Sequence, residues 1–144
     1  MNRNQSHIQV LPGSNGIKDA YELSLRAKNL DIVCLSSAYA SVIGDYFDKE
    51  YAPLLFGSAT KTREILPDTE ANRKDSQKKD GRKNQVRFLA KSIPSESDFL
   101  VFEHTAILVS YNLENPFAVV ITDRDIVANL KNQFDRLWEF LKKI

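Results

Sequence analysis

The chain of 144 residues has one cysteine, Cys34, so it forms no internal disulfide and no multi-cysteine metal site. Its two histidines, His7 and His104, stand far apart with no zinc-ligand spacing around them. Charge of one sign is lacking too: Lys+Arg is 20 and Asp+Glu is 19, a net +1 that argues against a basic nucleic-acid coat or a polybasic membrane protein. No apolar run approaches the roughly 20 residues of a membrane span. The opening residues 2–7 are polar and hold no signal-peptide core. No G-x-S-x-G elbow, phosphate-binding loop or G-x-G-x-x-G occurs, and no cofactor is implied. These absences leave one cytoplasmic domain spanning 1–144, long enough for a real core, and name no function.

What is present alternates between strand and helix patterns. His7–Leu11 reads as an edge strand closed by Pro12-Gly13. Ser14 or Asn15 is the expected cap of a helix carrying Ile17, Ala20, Tyr21 and Leu25, with the stem of Lys28 closing that face. Leu30–Ser36 is nearly all apolar, the mark of a central strand covered on both faces. A helix is expected from about Ser41 to Phe56, with Val42, Ile43, Tyr46, Phe47, Tyr51, Leu54 and Leu55 on one stripe and Pro53 disturbing its last turn.

Thr60–Leu66 and Gln85–Ala90 read as strands. Between them, residues 72–84 contain no apolar side chain and are expected to be a solvated helix, a loop or a mobile excursion. Phe99–Glu103, Ala106–Ser110 and Phe117–Thr122 are strands too close together for helical crossovers, so they should pair antiparallel. A closing helix runs from about Asp123 to Lys142. Thr122 and Asp125 have capping-box spacing, Ile126, Leu130, Phe134, Leu137, Trp138 and Leu141 form the apolar stripe, and Phe140 lies off it. The order predicts an α/β fold with a mixed, mostly parallel sheet and antiparallel strands near the C-terminus.

Candidate chemistry is sparse. Cys34 lies between Val33 and Leu35 in a buried strand with no basic neighbour, so it reads as a small hydrophobe. In open α/β sheets, ligands bind beyond the carboxyl ends of the parallel strands. That rule makes Ser36, Ser37, Tyr39, Asp68 and Lys91 candidate ligand residues, with Tyr111, Asn112 and His104 from the later strands. The stretch 73–91 carries eight basic and two acidic residues, a charge of +6. Arg73, Lys74, Lys78, Lys79, Arg82 and Lys83 could meet nucleic-acid phosphates. With only Phe88 to stack on a base, a solvated surface element is the plainer reading.

A run of ordered features then resembles a known family. Thr62-Arg-Glu-Ile-Leu-Pro-Asp-Thr69, Asn84-Gln-Val-Arg-Phe-Leu89, Ser95-Glu-Ser-Asp98, the stretch Ser110 to Asp123 and a helix ending in Leu137-Trp138 resemble the C-terminal domain of TrmB-like transcriptional regulators. Gly16-Ile17-Lys18 at the first helix fits as well. The resemblance implies a phospholipase D-like three-layer α/β/α sandwich that senses an effector, a sugar by analogy, and forms a homodimer. In that family it stands behind a winged helix-turn-helix. Too few residues precede the first strand for a DNA-reading domain, so DNA contact is expected only through a separate or missing one.

The fold also suggests a phosphodiesterase, which needs an H-x-K-x4-D motif: the histidine attacks phosphorus and the lysine holds phosphate charge. Neither His7 nor His104 is followed by the lysine, and strand alignment puts the pair near Ser97 and Phe99. Ser110-Tyr111-Asn112 sits where active members carry G-S-x-N. The reading is therefore a non-catalytic regulatory domain with a degenerate active site. A degenerate phospholipase D-superfamily phosphodiesterase or nuclease, and a nucleic-acid-binding accessory through 73–91, are the alternatives.

Overall fold

The computed structural model describes residues 7–90 and 95–141. One sheet of seven strands runs in the order β1-β7-β6-β5-β2-β3-β4. Its strands are β1 Ile8–Pro12, β2 Asn29–Cys34, β3 Lys61–Pro67, β4 Asn84–Leu89, β5 Ser97–Phe102, β6 Thr105–Ser110 and β7 Phe117–Ile121. The sheet is mixed. β2, β3 and β4 are parallel, and every other neighbouring pair is antiparallel. The parallel part is thus confined to three strands, because β2/β3 and β3/β4 are the neighbouring pairs joined through helices, while β1, which also leads to β2 through a helix, lies at the far edge. β1 is an edge strand as its short alternating pattern predicts, and β2 lies centrally.

Alternation along the strands splits the core into two layers. Leu30, Ile32, Leu100, Phe102, Ile107, Val109, Ala118 and Val120 face α1 (Gly13–Ser24). Val101, Ala106 and Ile65 face α5 (Arg124–Phe140) on the other side. α1 packs on β1 and β7. Its buried face is Gly16, Ile17, Ala20, Tyr21 and Ser24, with Leu25 half-buried against the same core, and Lys28 stays exposed. The helix starts at Gly13 with no side-chain cap, which corrects the assignment of that role to Ser14 or Asn15. Instead the Gly13 N–H, at φ +75°, donates to Pro116 O at 2.8 Å.

The expected helix from Ser41 to Phe56 is three pieces. α2 spans Tyr39–Ile43 and ends at Gly44, whose φ of +62° suits glycine. A π-helical turn follows over Phe47–Tyr51 and runs into α3, Ala52–Gly57. Pro53 falls in the first turn of α3, directly after the π-helical turn. The break rotates Leu54 out to solvent while keeping Tyr46, Tyr51 and Leu55 buried.

Within 72–84 the helical alternative holds in part: α4 is Glu70–Gln77, capped by Thr69, which accepts the Asn72 N–H, and none of its residues is buried. α5 is capped by Asp123, whose carboxylate accepts the Ile126 N–H at 2.8 Å. Thr122 is therefore not the cap. The buried stripe contains Val127, while Ile126 is exposed, since a cap at Asp123 turns the first helical turn by one residue.

Candidate functional site

The chain leaves the sheet after Cys34 and turns through Ser36-Ser37-Ala38 into α2. β5 lies antiparallel beside β2, with Asp98 opposite Cys34. Strand alternation sends Asp98 to the α1 side, beneath the turn at the carboxyl end of β2, the place of the ligand crevice in open α/β sheets. Glu96 comes just before the strand.

Asp98 is buried at 2% exposure and fully engaged. Its Oδ2 accepts the Tyr21 hydroxyl at 2.7 Å, and its Oδ1 accepts the Ser36 hydroxyl at 2.9 Å. The Ser36 N–H is 3.4 Å from the same oxygen. Tyr21 has one proton and gives it to Asp98, so at the 2.8 Å contact with Tyr111 it is Tyr111 that donates. Glu96 closes the turn from outside. It accepts the Ser37 N–H at 3.0 Å, the Ala38 N–H at 2.8 Å and the Ser37 hydroxyl at 2.9 Å. The Ala38 N–H first, and then the Ser37 groups, hold the Glu96 carboxyl below its usual range.

The electrostatics follow from this arrangement. Burial pushes the Tyr21 hydroxyl well up, and the Asp98 carboxylate pushes it further. Tyr111 is raised for the same two reasons. Burial and then Asp98 also push the Cys34 thiol well up, so it stays a thiol at neutral pH. The turn presents N–H groups and hydroxyls suited to an anion, and the chain's own carboxylates take them.

The expected site residues fall into several groups. Ser36, Ser37 and Tyr111 meet at this crevice. Tyr39 opens α2, half-buried, with its ring 5.7 Å from Phe47. Asp68 lies past β3 and pairs with Arg73 at 2.6 Å. Asn112 is exposed, its Oδ1 accepting the Glu114 N–H at 3.0 Å in a turn. Lys91 lies outside the described residues.

His104 sits in the β5–β6 turn, at the other end of the sheet, about 20 Å of strand away from Asp98 at roughly 3.3 Å per residue. His7 precedes β1 at that same far end. The positions expected for the catalytic pair are corrected by alternation. Ser97 and Phe99 point away from the crevice, and Phe99 packs against the Val101–Val127 cluster. The side chains aimed at the crevice are Glu96 and Asp98, both acidic.

The basic residues are equally divided. Lys79 is bound to buried Glu64 at 2.7 Å, and Lys83 donates to Phe56 O and Ser58 O. Arg73 stacks on Phe88 while paired with Asp68. Lys74 and Lys78 form loose exposed pairs, and Arg82 is exposed. Among the described residues no group of three or more His, Cys, Asp or Glu is placed to hold a metal ion, and no helix is long and apolar enough to cross a membrane.

Tyr21, Glu96 and Asp98 were not singled out as site residues. Tyr21 looks like one more apolar-stripe residue, though Asp98 in an otherwise apolar strand is a visible signal.

No family model matches the chain, and no curated protein matches its sequence. Solved structures do match in fold. TrmBL2, an archaeal chromatin protein with a reported novel mode of DNA binding, superposes with a TM-score of 0.65 at 19% identity. The match covers 100% of this chain and 57% of that one, so the chain spans little more than half of TrmBL2. Nuc from Salmonella typhimurium, a phospholipase D family member, gives a TM-score of 0.63 at 10% identity over 95% of this chain and 97% of Nuc. NucT from Helicobacter pylori gives 0.60 at 10% identity over 95% and 98%. The fold is therefore the phospholipase D-like α/β/α sandwich, shared by a TrmB-type protein and by enzymes.

Proposed function

We propose that the chain is a non-catalytic regulatory domain of a TrmB-like transcriptional regulator, dimerising and responding to a small effector, with DNA reached through a separate DNA-binding domain. The observation that carries this is the identity of the two side chains aimed into the crevice. Asp98 and Glu96 supply negative charge where a phosphodiesterase needs an attacking histidine and a phosphate-holding lysine. A phosphodiester brought there meets two carboxylates in a partly buried site, where like charges repel strongly. The turn donors that could hold it are already satisfied, so the substrate would have to displace short internal hydrogen bonds.

Dimerisation draws support from the opposite face of the sheet. Among the described residues α5 packs chiefly on β5 and β6, and less against the end at β7 and β1. There Val10, Val119 and Leu108 line up across three strands, with Val10 61% and Leu108 37% exposed. Ile8 and Ile126 extend this apolar patch.

The test is hydrolysis of bis(p-nitrophenyl) phosphate by the purified chain, together with sedimentation equilibrium. No nitrophenolate above the buffer rate, and a dimer, are expected. Turnover that disappears in Asp98→Asn would replace this reading with an unconventional phosphodiesterase. A monomer at high concentration would remove the dimer.

A further inference from the structure

Among the described residues the sheet ends at β4 in an open edge. The Thr62 N–H donates to Lys83 O at 2.9 Å and the Asp68 N–H to Leu89 O at 3.1 Å. Parallel pairing alternates, so Gln85 and Arg87 also turn their backbone groups towards β3. The N–H and C=O groups of Val86 and Phe88 then point away from the sheet. They form the floor of a cavity of about 510 Å³. Arg73 and Ser76 of α4 wall it on one side, and Trp138 of α5 walls it on the other.

Arg87 sets the chemistry of this slot. Its guanidinium lies 4.3 Å from the Trp138 ring centre. Its Nη1 donates to the carbonyls of Trp138 and Leu141, capping the end of α5. Its Nε is buried with no hydrogen-bond partner among the described residues. A buried unpaired N–H is costly, and in the planar fork Nε and Nη2 point the same way, as a carboxylate requires. Arg63 uses that same edge on Asp31, at 2.8 and 2.9 Å.

We propose that the β4 edge accepts an eighth strand, an extended acidic segment of a partner protein. It hydrogen-bonds to the Val86 and Phe88 backbone and sets a Glu or Asp side chain on the Nε/Nη2 edge of Arg87. The guanidinium edge of Arg87, unpaired among the described residues, favours an acidic partner. A nucleic-acid strand fits less well. The ring faces in the slot, Trp138 and Phe88, are already covered by Arg87 and Arg73, and Lys79 and Lys83 are spent inside the fold. This proposal stands apart from the regulatory reading, since it needs only the strand edge and Arg87.

The test is fluorescence anisotropy with short blocked peptides in which Glu alternates with Thr or Val. Controls carry Gln for Glu, or N-methyl groups on alternate backbone nitrogens. The acidic peptides should bind at least about tenfold tighter than the Gln set, a difference of about 1.4 kcal/mol. N-methylation, which leaves the protein untouched, should abolish binding. Val86→Pro should abolish it as well while keeping the fold by circular dichroism, because a proline is tolerated where the strand N–H faces outward. Arg87→Lys should weaken binding about tenfold, since a lysine lacks the fork. Equal binding of acidic and Gln peptides, no binding by either, or binding indifferent to N-methylation would overturn the proposal. So would oligothymidylate that outcompetes the acidic peptides for the slot.

Discussion

Tyr21 of α1 gives its hydroxyl proton to Asp98 of β5 at 2.7 Å, across 77 residues of sequence, and in turn accepts from Tyr111. This short chain of oxygens ties the first helix to the antiparallel half of the sheet. Tyr21→Phe leaves Asp98 short of a donor and Tyr111 short of an acceptor in a buried place. The expected loss is about 1–3 kcal/mol in urea unfolding. In a double-mutant cycle with Asp98→Asn the two residues should couple by about 0.5–3 kcal/mol. Additive losses would mean that the contact carries no weight of its own.

Gly16 has no room for a side chain, because a Cβ there runs into the backbone carbonyl of Leu11. α1 lies against β1 at this point, and backbone cannot swing aside as a flexible side chain can. Gly16→Ala should cost about 1–3 kcal/mol, the usual range for overpacking. Gly57→Ala has open space around it and serves as the control, neutral or slightly stabilising. Thermal melts of the two variants check the contrast.

Acid should weaken the fold at two places. Glu96 and Asp68 have carboxyls held below their ordinary values, Glu96 chiefly by the Ala38 N–H and Asp68 chiefly by Arg73. The folded chain binds these protons more weakly than the unfolded chain. Their stabilising effect is therefore complete above the ordinary carboxylate range and is lost as pH falls through the lowered values. Glu96→Gln should flatten the acid limb of a stability–pH profile, and an unchanged slope would rule Glu96 out as its source.

Alkali should act through the tyrosines. All five are raised, with burial the leading cause in each. The folded chain holds these protons more tightly, so stability is intact below the ordinary tyrosine pKa near about 10 and falls as pH rises above it. Phenolate absorbance should appear together with unfolding. A simple titration near pH 10 in a folded protein would contradict the burial of Tyr21, Tyr51 and Tyr111.

If the open face at β1 and β7 forms the dimer, Leu108→Glu should shift sedimentation towards monomer by placing charge in an apolar interface. The melting temperature at low protein concentration should hardly move, since Leu108 is already 37% exposed. An unchanged assembly would direct the search for an interface elsewhere, with Phe140 at 79% exposure the next residue to change.

Hydrophobic periodicity marked every strand and the long outer helices, because each such element buries a face whose spacing is written locally. It placed β1 at an edge from its brevity and β2 at the centre from its unbroken apolar run. It missed the fracture of the Ser41–Phe56 stretch, since Val42 to Leu55 read equally well as one apolar stripe, and the packing that breaks it at Gly44 and turns Leu54 to solvent is tertiary. It also missed the cap at Asp123, where Thr122 and Asp123 are equally good candidates on local grounds.

The site divides along the same line. The lone cysteine, the separated histidines and the missing H-x-K motif were properties of the sequence by itself, and so was the concentration of basic charge in 73–91. Only the tertiary structure decided which face of β5 looks into the crevice, and so set Asp98 and Glu96 there in place of Ser97 and Phe99. Only it spent Lys79 and Lys83 inside the fold and left Arg87 Nε buried without a partner among the described residues. The physical reason is that a side chain's direction depends on strand register. Register is fixed by pairing between segments up to about a hundred residues apart, which no local pattern records.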